Sequence, residues 1–254
     1  MKNKKYTTIT TMLLVTICMI MSISTNAYAS PGGTIAKAAI NSPLGRIAAV
    51  AITILLLPVI IYMWVIEYIA VSKTTKALSK LGKMNDNFRW IILNERAHSI
   101  ITHVYAAWKK TDIEQAKEWM TGWYWQNQKL TVLESWEEDG LKNICKLNKI
   151  RSVKPLYIDY RDKEKGDGEG SRIVLSVTVN LQDYLVNEKT EKIVEGDEKK
   201  KDLETVWTLV LADGQWKLSL IEESFRSLAY AKLENNIEAA SEYIGSGFIY
   251  KGRV

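Results

Sequence analysis

Ile47–Ile66, IAAVAITILLLPVIIYMWVI, is twenty residues without a charge. At 1.5 Å rise per residue such a helix matches the thickness of a bilayer core, so the sequence predicts a membrane-spanning helix over residues 47–71. Whatever the rest of the chain does, this reading places it at a membrane.

The N-terminus carries a second, shorter signal. Lys2, Lys4 and Lys5 form a basic start, Met12–Ile23 is a twelve-residue apolar run, and Ala27-Tyr28-Ala29 offers small residues at the two positions a signal peptidase inspects. Residues 1–29 are therefore read as a secretory signal peptide, with an uncleaved signal anchor as the alternative. Residues 30–46 then form a short segment outside the cytoplasm, and the span at 47–66 stops transfer. Either fate of the first segment leaves the C-terminal part on the cytoplasmic side. The charges agree: Lys73, Lys76, Lys80 and Lys83 follow the span closely, whereas Lys37 and Arg46 precede it. The expectation is a single-pass protein of the cell membrane.

Composition excludes more than it suggests. The net charge is +5, but the first 29 residues hold three lysines and no acid, leaving 31 basic against 29 acidic residues beyond them. No electrostatic case for nucleic-acid binding follows. One cysteine, Cys145, lies beyond the first segment, so neither a disulfide framework nor a thiolate metal site is expected. His98 and His103 sit five apart, which turns them about 140° from each other on a helix, and they are not read as metal ligands. There is no glycine-rich phosphate loop and no G-x-S-x-G elbow. No cofactor and no catalytic residue is assigned.

Residues 72–94 read as a basic juxtamembrane linker, because SKTTKALSKLGK has four lysines and no acid. Near an anionic leaflet each lysine contributes about 1 kcal/mol of attraction, screened by salt. Lys73, Lys76, Lys80 and Lys83 are the membrane-surface candidates.

A domain over residues 95–224 follows. Ala97, Ile100, Ile101, Val104 and Trp108 make one apolar stripe and predict a helix over Asn94–Lys110. Thr111-Asp112-Ile113-Glu114 is a capping-box pattern for a second helix, and a third starts near Gly122 and stops at Gly140. The period then changes to two. Leu156–Arg161 and Ile173–Gln182 alternate, Glu204–Ala212 is apolar on both faces and central, and Ala212-Asp213-Gly214 turns into the strand Gln215–Ile221. Glu188–Lys201 has no apolar period and reads as a long hairpin end. Residues 225–254 hold a final helix, over Arg226–Tyr243, and a tail. Helices followed by antiparallel strands predict an α+β domain, with the helices packed on one face of a curved sheet.

Nine tryptophans are unusual for this length. At these spacings they are core residues or line a cavity where helices lean over the sheet. Trp123, Tyr124 and Trp125 cannot all face one way on a helix, so one is expected to be exposed. Asp159 and Asp183 sit on strands and are the carboxylates a pocket enzyme would use, although neither is paired by pattern with a base.

Three segments carry a family pattern: Leu181–Gly196 (LQDYLVNEKTEKIVEG), Glu204–Thr208 (ETVWT) and Gly214–Glu222 (GQWKLSLIE). With Val104–Trp108 (VYAAW) and Asp112 upstream, they resemble the Tim44-like domain family over roughly Asn94–Ser224. Glu191 stands where that family commonly has a turn glycine. The resemblance implies a nuclear transport factor two-like fold, a cone of helices over a bent sheet with a pocket. Val104, Trp108, Trp119, Tyr124, Val177, Trp207 and Trp216 would line it. It also implies a non-catalytic adaptor or scaffold that binds an anionic membrane surface and a protein partner. Two alternatives remain open: a VirB-eight-like secretion component with its domain outside the cytoplasm, and an isomerase- or dehydratase-like enzyme using the pocket.

Overall fold

The computed structural model describes residues 43–161, 167–238 and 240. The signal peptide read over residues 1–29, the segment 30–42 and the tail 241–254 lie outside the described residues. The chain divides into two compact units, meeting at Trp64 and Val65.

Among the described residues, the first unit is the start of helix α1, Pro43–Leu81. It is long and apolar enough to cross a membrane, and its most apolar window is left uncovered by the chain. Ile52, Leu55, Ile60 and Trp64 are all exposed, which water would penalise and lipid would not. The Thr53 hydroxyl within it is satisfied internally, donating to the Ala49 carbonyl at 2.9 Å.

The second unit begins with the remainder of α1. Ala70, Thr74, Ala77, Leu78 and Leu81 recur at helical spacing and are all buried. Residues 72–94, expected as a linker, therefore belong to the folded domain. Lys73, Lys76 and Lys80 point away from that stripe and are exposed, so the apolar stripe and the basic charge coexist on one helix. A turn of 3-10 helix, Asp86–Phe88, inserts Phe88 into the core, edge-on to Tyr160 and Trp216.

Helix α2 (Trp90–Lys109) packs on the sheet and buries Ala97, Ile100, Ile101 and Val104 of the stripe read from the sequence, together with Leu93 and Ala107, while Trp108 is half-buried. The second expected helix is a 3-10 segment, Ile113–Trp119, capped by Asp112, whose carboxylate accepts from the Glu114 N–H at 3.2 Å. Thr111 takes a positive φ instead of the cap position. The third is a composite of α3 (Gly122–Gln128), a π-turn (Lys129–Leu133) and α4 (Glu134–Glu138), ending at Gly140 with φ +65°.

Four antiparallel strands follow in the order β1-β2-β3-β4. They are β1 (Leu141–Asp159), β2 (Arg172–Asn187), β3 (Ile193–Ala212) and β4 (Gln215–Glu223). β1 starts fifteen residues before the strand read from the sequence, and β3 runs through the stretch read as a hairpin end. Both extensions hide from period counting. β1 contains three register shifts, and β3 is paired with β2 but exposed from Glu198 to Leu203. β2 is buried on both faces: Val174, Ser176 and Asn180 join Ile173, Leu175, Val177 and Val179. The buried polar groups find partners across the sheet, Ser176 on Glu204 and Asn180 on Asp202 and Asn148.

The β3–β4 turn is the Asp213-Gly214 pair, both at positive φ, as a type I′ hairpin requires. Both turn N–H groups donate to Glu169. After β4 the helix expected over 226–243 is interrupted among the described residues. A 3-10 turn, Ser224–Arg226, leads into α5 (Ser227–Ala231), and the chain then leaves the helix to pair with the end of β1. Asn235 and Asn236 explain the break. Asn236 exchanges backbone bonds with Ile158 and Tyr160, and the Asn235 side-chain oxygen accepts from the Ile158 N–H at 2.9 Å. Such local polar alternatives compete with helix.

The β2–β3 turn yields a paired prediction. Glu191 sits at φ +54°, a conformation that costs a side chain about 1–2 kcal/mol, less the extra freedom a glycine regains on unfolding. Glu191→Gly should stabilise by about 0.5–1 kcal/mol. Gly196 is at φ +80°, and a Cβ there would lie 2.8 Å from the Asp183 carbonyl oxygen. Gly196→Ala should destabilise by about 2 kcal/mol or more. Urea unfolding of both variants checks the opposite signs.

Candidate functional site

The sequence-predicted surface lysines converge on a groove. Lys73, Lys76 and Lys80 lie three, four and seven residues apart on the exposed side of α1. With Ala77, Glu234 and Ile237 they line a concavity of about 280 Å³. Its floor is fixed rather than loose. The Thr74 hydroxyl, fully buried, is shared between the Leu156 carbonyl at 3.0 Å and the Asn235 side-chain oxygen at 3.1 Å. Lys83 stands apart, exposed in the turn that follows the helix.

Sequence reading missed a second basic feature. Edge strand β1 carries Lys142, Lys146, Lys149, Arg151 and Lys154, all exposed, and no acid between Leu141 and Ile158. Charge on an edge also discourages strand-to-strand aggregation. The strand nonetheless reaches the start of the domain's first helix: Lys154 pairs at 2.8 Å with Glu67, the first charge after the apolar stretch. A count of basic against acidic residues over 141–158 would have found it.

The seven residues read as pocket lining are brought together, as packing. Val104, Tyr124, Val177, Trp207 and Trp216 are buried in one cluster, and Trp108 and Trp119 are half-buried against it. The Trp216 indole N–H donates to the Asn87 carbonyl at 2.8 Å, and that of Trp207 to the Thr205 hydroxyl at 2.9 Å. Trp119 stacks on His103 at 4.0 Å, with the Arg96 guanidinium 4.0 Å from its ring centre. Trp123 is the exposed member of its triplet, at 65%, while Tyr124 is buried.

The two aspartates part company. Asp159 is held by Arg161 at 3.0 Å and by the Asn236 amide at 2.8 Å, a solvated structural arrangement. Asp183 is near the end of β2 and exposed at its rim, directly opposite Cys145 on β1 and Asp197 on β3. The Asn143 amide and the Cys145 thiol stand beside its carboxylate and favour its charged form. Burial raises the Asp183 carboxyl above the usual range. Burial, with Asp183 beside it, pushes the Cys145 thiol up to about 12. A thiol so held is not a nucleophile at neutral pH. Burial also raises Tyr105 and Tyr124. The Gly196 of the V-E-G segment lies against the Asp183 and Tyr184 backbone, which explains why that motif couples D-Y to a glycine.

The architecture is thus an α+β domain with helices on one face of a bent antiparallel sheet, continuous in sequence with an apolar helix. The Tim44-like domain family matches residues 74–223, more than half of the chain, and the protein belongs to that family. Among curated proteins none matches the chain significantly. Three solved structures are similar at 13% identity each. The intermembrane space region of the chloroplast protein ARC6 has a TM-score of 0.34, over 50% of this chain and 95% of that one. A polyketide cyclase-like protein from Xanthomonas campestris gives 0.26 over 54% and 98%. AclR, a hydroxylase-like protein from Streptomyces galilaeus, gives 0.24 over 60% and 98%. At these values they bear on neither activity nor partner.

The Asp183 environment fixes a pH dependence. Burial disfavours the charged form, so the folded chain holds this proton to higher pH than the unfolded chain does. Ionisation therefore costs stability as pH rises through that interval. Asp183→Asn, which cannot ionise, should raise the thermal midpoint at pH 7. The gain should shrink as pH falls through the ordinary carboxylate range near 4, read by calorimetry across pH.

Proposed function

We propose that this protein is a membrane-anchored, non-catalytic adaptor that presses a Tim44-like domain against anionic lipid and presents it to a protein partner. The observation that carries this reading is the placement of Lys73, Lys76 and Lys80. They stand on the exposed face of the same helix that supplies the apolar span, and its other face is locked into the domain core. Attraction to lipid is thereby passed to a folded surface rather than to a loose tether. The basic edge strand β1 adds further charge of the same sign.

The charge asymmetry about the span supports a cytoplasmic domain. A thiol near 12 supports a non-catalytic role.

The test is vesicle binding by a chain starting at Glu67, with all four lysines, Lys73, Lys76, Lys80 and Lys83, changed to glutamine. Binding to phosphatidylglycerol vesicles should weaken about tenfold or more, with binding to neutral phosphatidylcholine vesicles unchanged. Equal binding of the variant and the parent to the anionic vesicles would refute the lipid-contact reading.

A further inference from the structure

β1 lies at one edge of the sheet, and most of its outer border is open. Among the described residues, backbone bonds to that border are confined to its last part. The Leu156 carbonyl takes the Thr74 hydroxyl, and Asn236 bonds Ile158 and Tyr160. From Leu141 to Pro155 no described residue bonds the border from outside the sheet. Residues of an edge strand alternately turn N–H and C=O away from the sheet, a template for one more strand. The opposite edge differs. On β4 the Trp216 carbonyl accepts from the Arg96 guanidinium at 3.0 Å, and the Leu218 carbonyl from the Thr121 N–H at 2.8 Å.

A second, independent observation is how the charge is placed along this border. Lys142, Lys146, Lys149 and Lys154 stand opposite Val186, Gln182, Asn180 and Ser176 of β2. Those β2 positions are separated by even numbers of residues, so the four lysines share one face, turned away from Asn143 and Cys145. Regular alternation would put Lys149 on the other face. The register shift between Leu147 and Lys149 returns it, and the shift between Ile150 and Ser152 keeps Lys154 there. Arg151, inside that second shift, bonds Asp202 at 3.4 Å, and Lys154 bonds Glu67. Lys142, Lys146 and Lys149 are exposed and have no ion-pair partner among the described residues. No acid occurs between Leu141 and Ile158.

We propose that the β1 edge over Leu141–Val153 takes up an extended acidic segment of a partner protein as a fifth strand. Carboxylates at alternate positions of that segment face Lys142, Lys146 and Lys149. The open border supplies main-chain bonds, and the lysines supply selection by charge. A second copy's β1 would bring like charges, which destabilise when directly opposite. Its β4 is already bonded at Trp216 and Leu218. A phosphate surface would meet the lysines but has no row of N–H and C=O groups to complete a ladder. The proposal rests on the adaptor reading for the existence of a protein partner and names that partner's chemistry. It uses none of the α1 lysines.

The experiment is fluorescence anisotropy of labelled decapeptides titrated with the full-length protein in neutral phosphatidylcholine nanodiscs. The probes are a peptide alternating threonine and glutamate, the same peptide N-methylated along its backbone, and a peptide alternating threonine and lysine. The glutamate peptide should bind saturably, its N-methylated form at least about tenfold more weakly, and the lysine peptide not at all. Changing Lys142, Lys146 and Lys149 together to glutamine should weaken the glutamate peptide about tenfold while the cooperative thermal transition is kept. Changing Lys73, Lys76 and Lys80 to glutamine should leave peptide binding as in the parent. Equal binding of the N-methylated peptide, a comparison that needs no variant, would show attraction by charge alone and overturn the proposal. So would unchanged affinity in the β1 variant, loss of the peptide in the α1 variant only, or no saturable binding. A failed lipid reading would show instead on phosphatidylglycerol vesicles with the α1 lysines changed, and would leave these outcomes as they are.

Discussion

The packing of α1's last turns into the domain is the interaction on which the rest depends. Leu78 and Leu81 are fully buried, Ala77 nearly so, and Thr74 ties the helix to β1 and to the segment after α5. One continuous helix is therefore both the candidate membrane span and a wall of the core. A polar tether would let the span be exchanged without consequence for the domain. Here the apolar stretch comes first along one helix, and the basic face and then the buried stripe share its last turns. The hydrophobic effect holds the third while lipid electrostatics acts on the second.

The sheet extends the same logic. β2 is buried on both faces and pairs along its length with β1 and β3, so the concave side can carry polar groups at the hairpin end without loss of a core. The aromatic residues read as cavity lining are packed into the core cluster. Trp207 and Trp216 direct their N–H groups to intramolecular acceptors, and Phe88 wedges between Tyr160 and Trp216. The interior is packed by aromatics at one end and polar at the other. The polar end is where Asn143, Cys145 and Asp183 meet.

Much of this was legible in the residues. The stripe of α2, the alternation of β2, the two-sided apolarity of β3's second half and the Asp213-Gly214 turn are local patterns that the fold obeys. The elements that escaped did so for definable reasons. The stripe Ala70, Thr74, Ala77, Leu78, Leu81 was present in the sequence, but four interleaved lysines made the stretch look like a tether. β1's first fifteen residues carry bulges that break a period of two, and β3's first half is exposed, so neither shows apolar alternation. The last helix stops because Asn235 and Asn236 bond β1 instead. Of the candidate site, the lysines could be named from spacing to the span. Asp183 could be named, but not Asn143, since only strand pairing brings the two together.

The most direct test compares two chains, one starting at Glu67 and one at Met84, by far-ultraviolet circular dichroism during heating. If the last turns of α1 are part of the core, the longer chain unfolds in one cooperative transition. The shorter chain, lacking Thr74, Ala77, Leu78 and Leu81, shows no such transition or one depressed by tens of degrees. Indistinguishable transitions would show that α1 merely adjoins a self-sufficient domain, and the account of a shared anchor and core would fail.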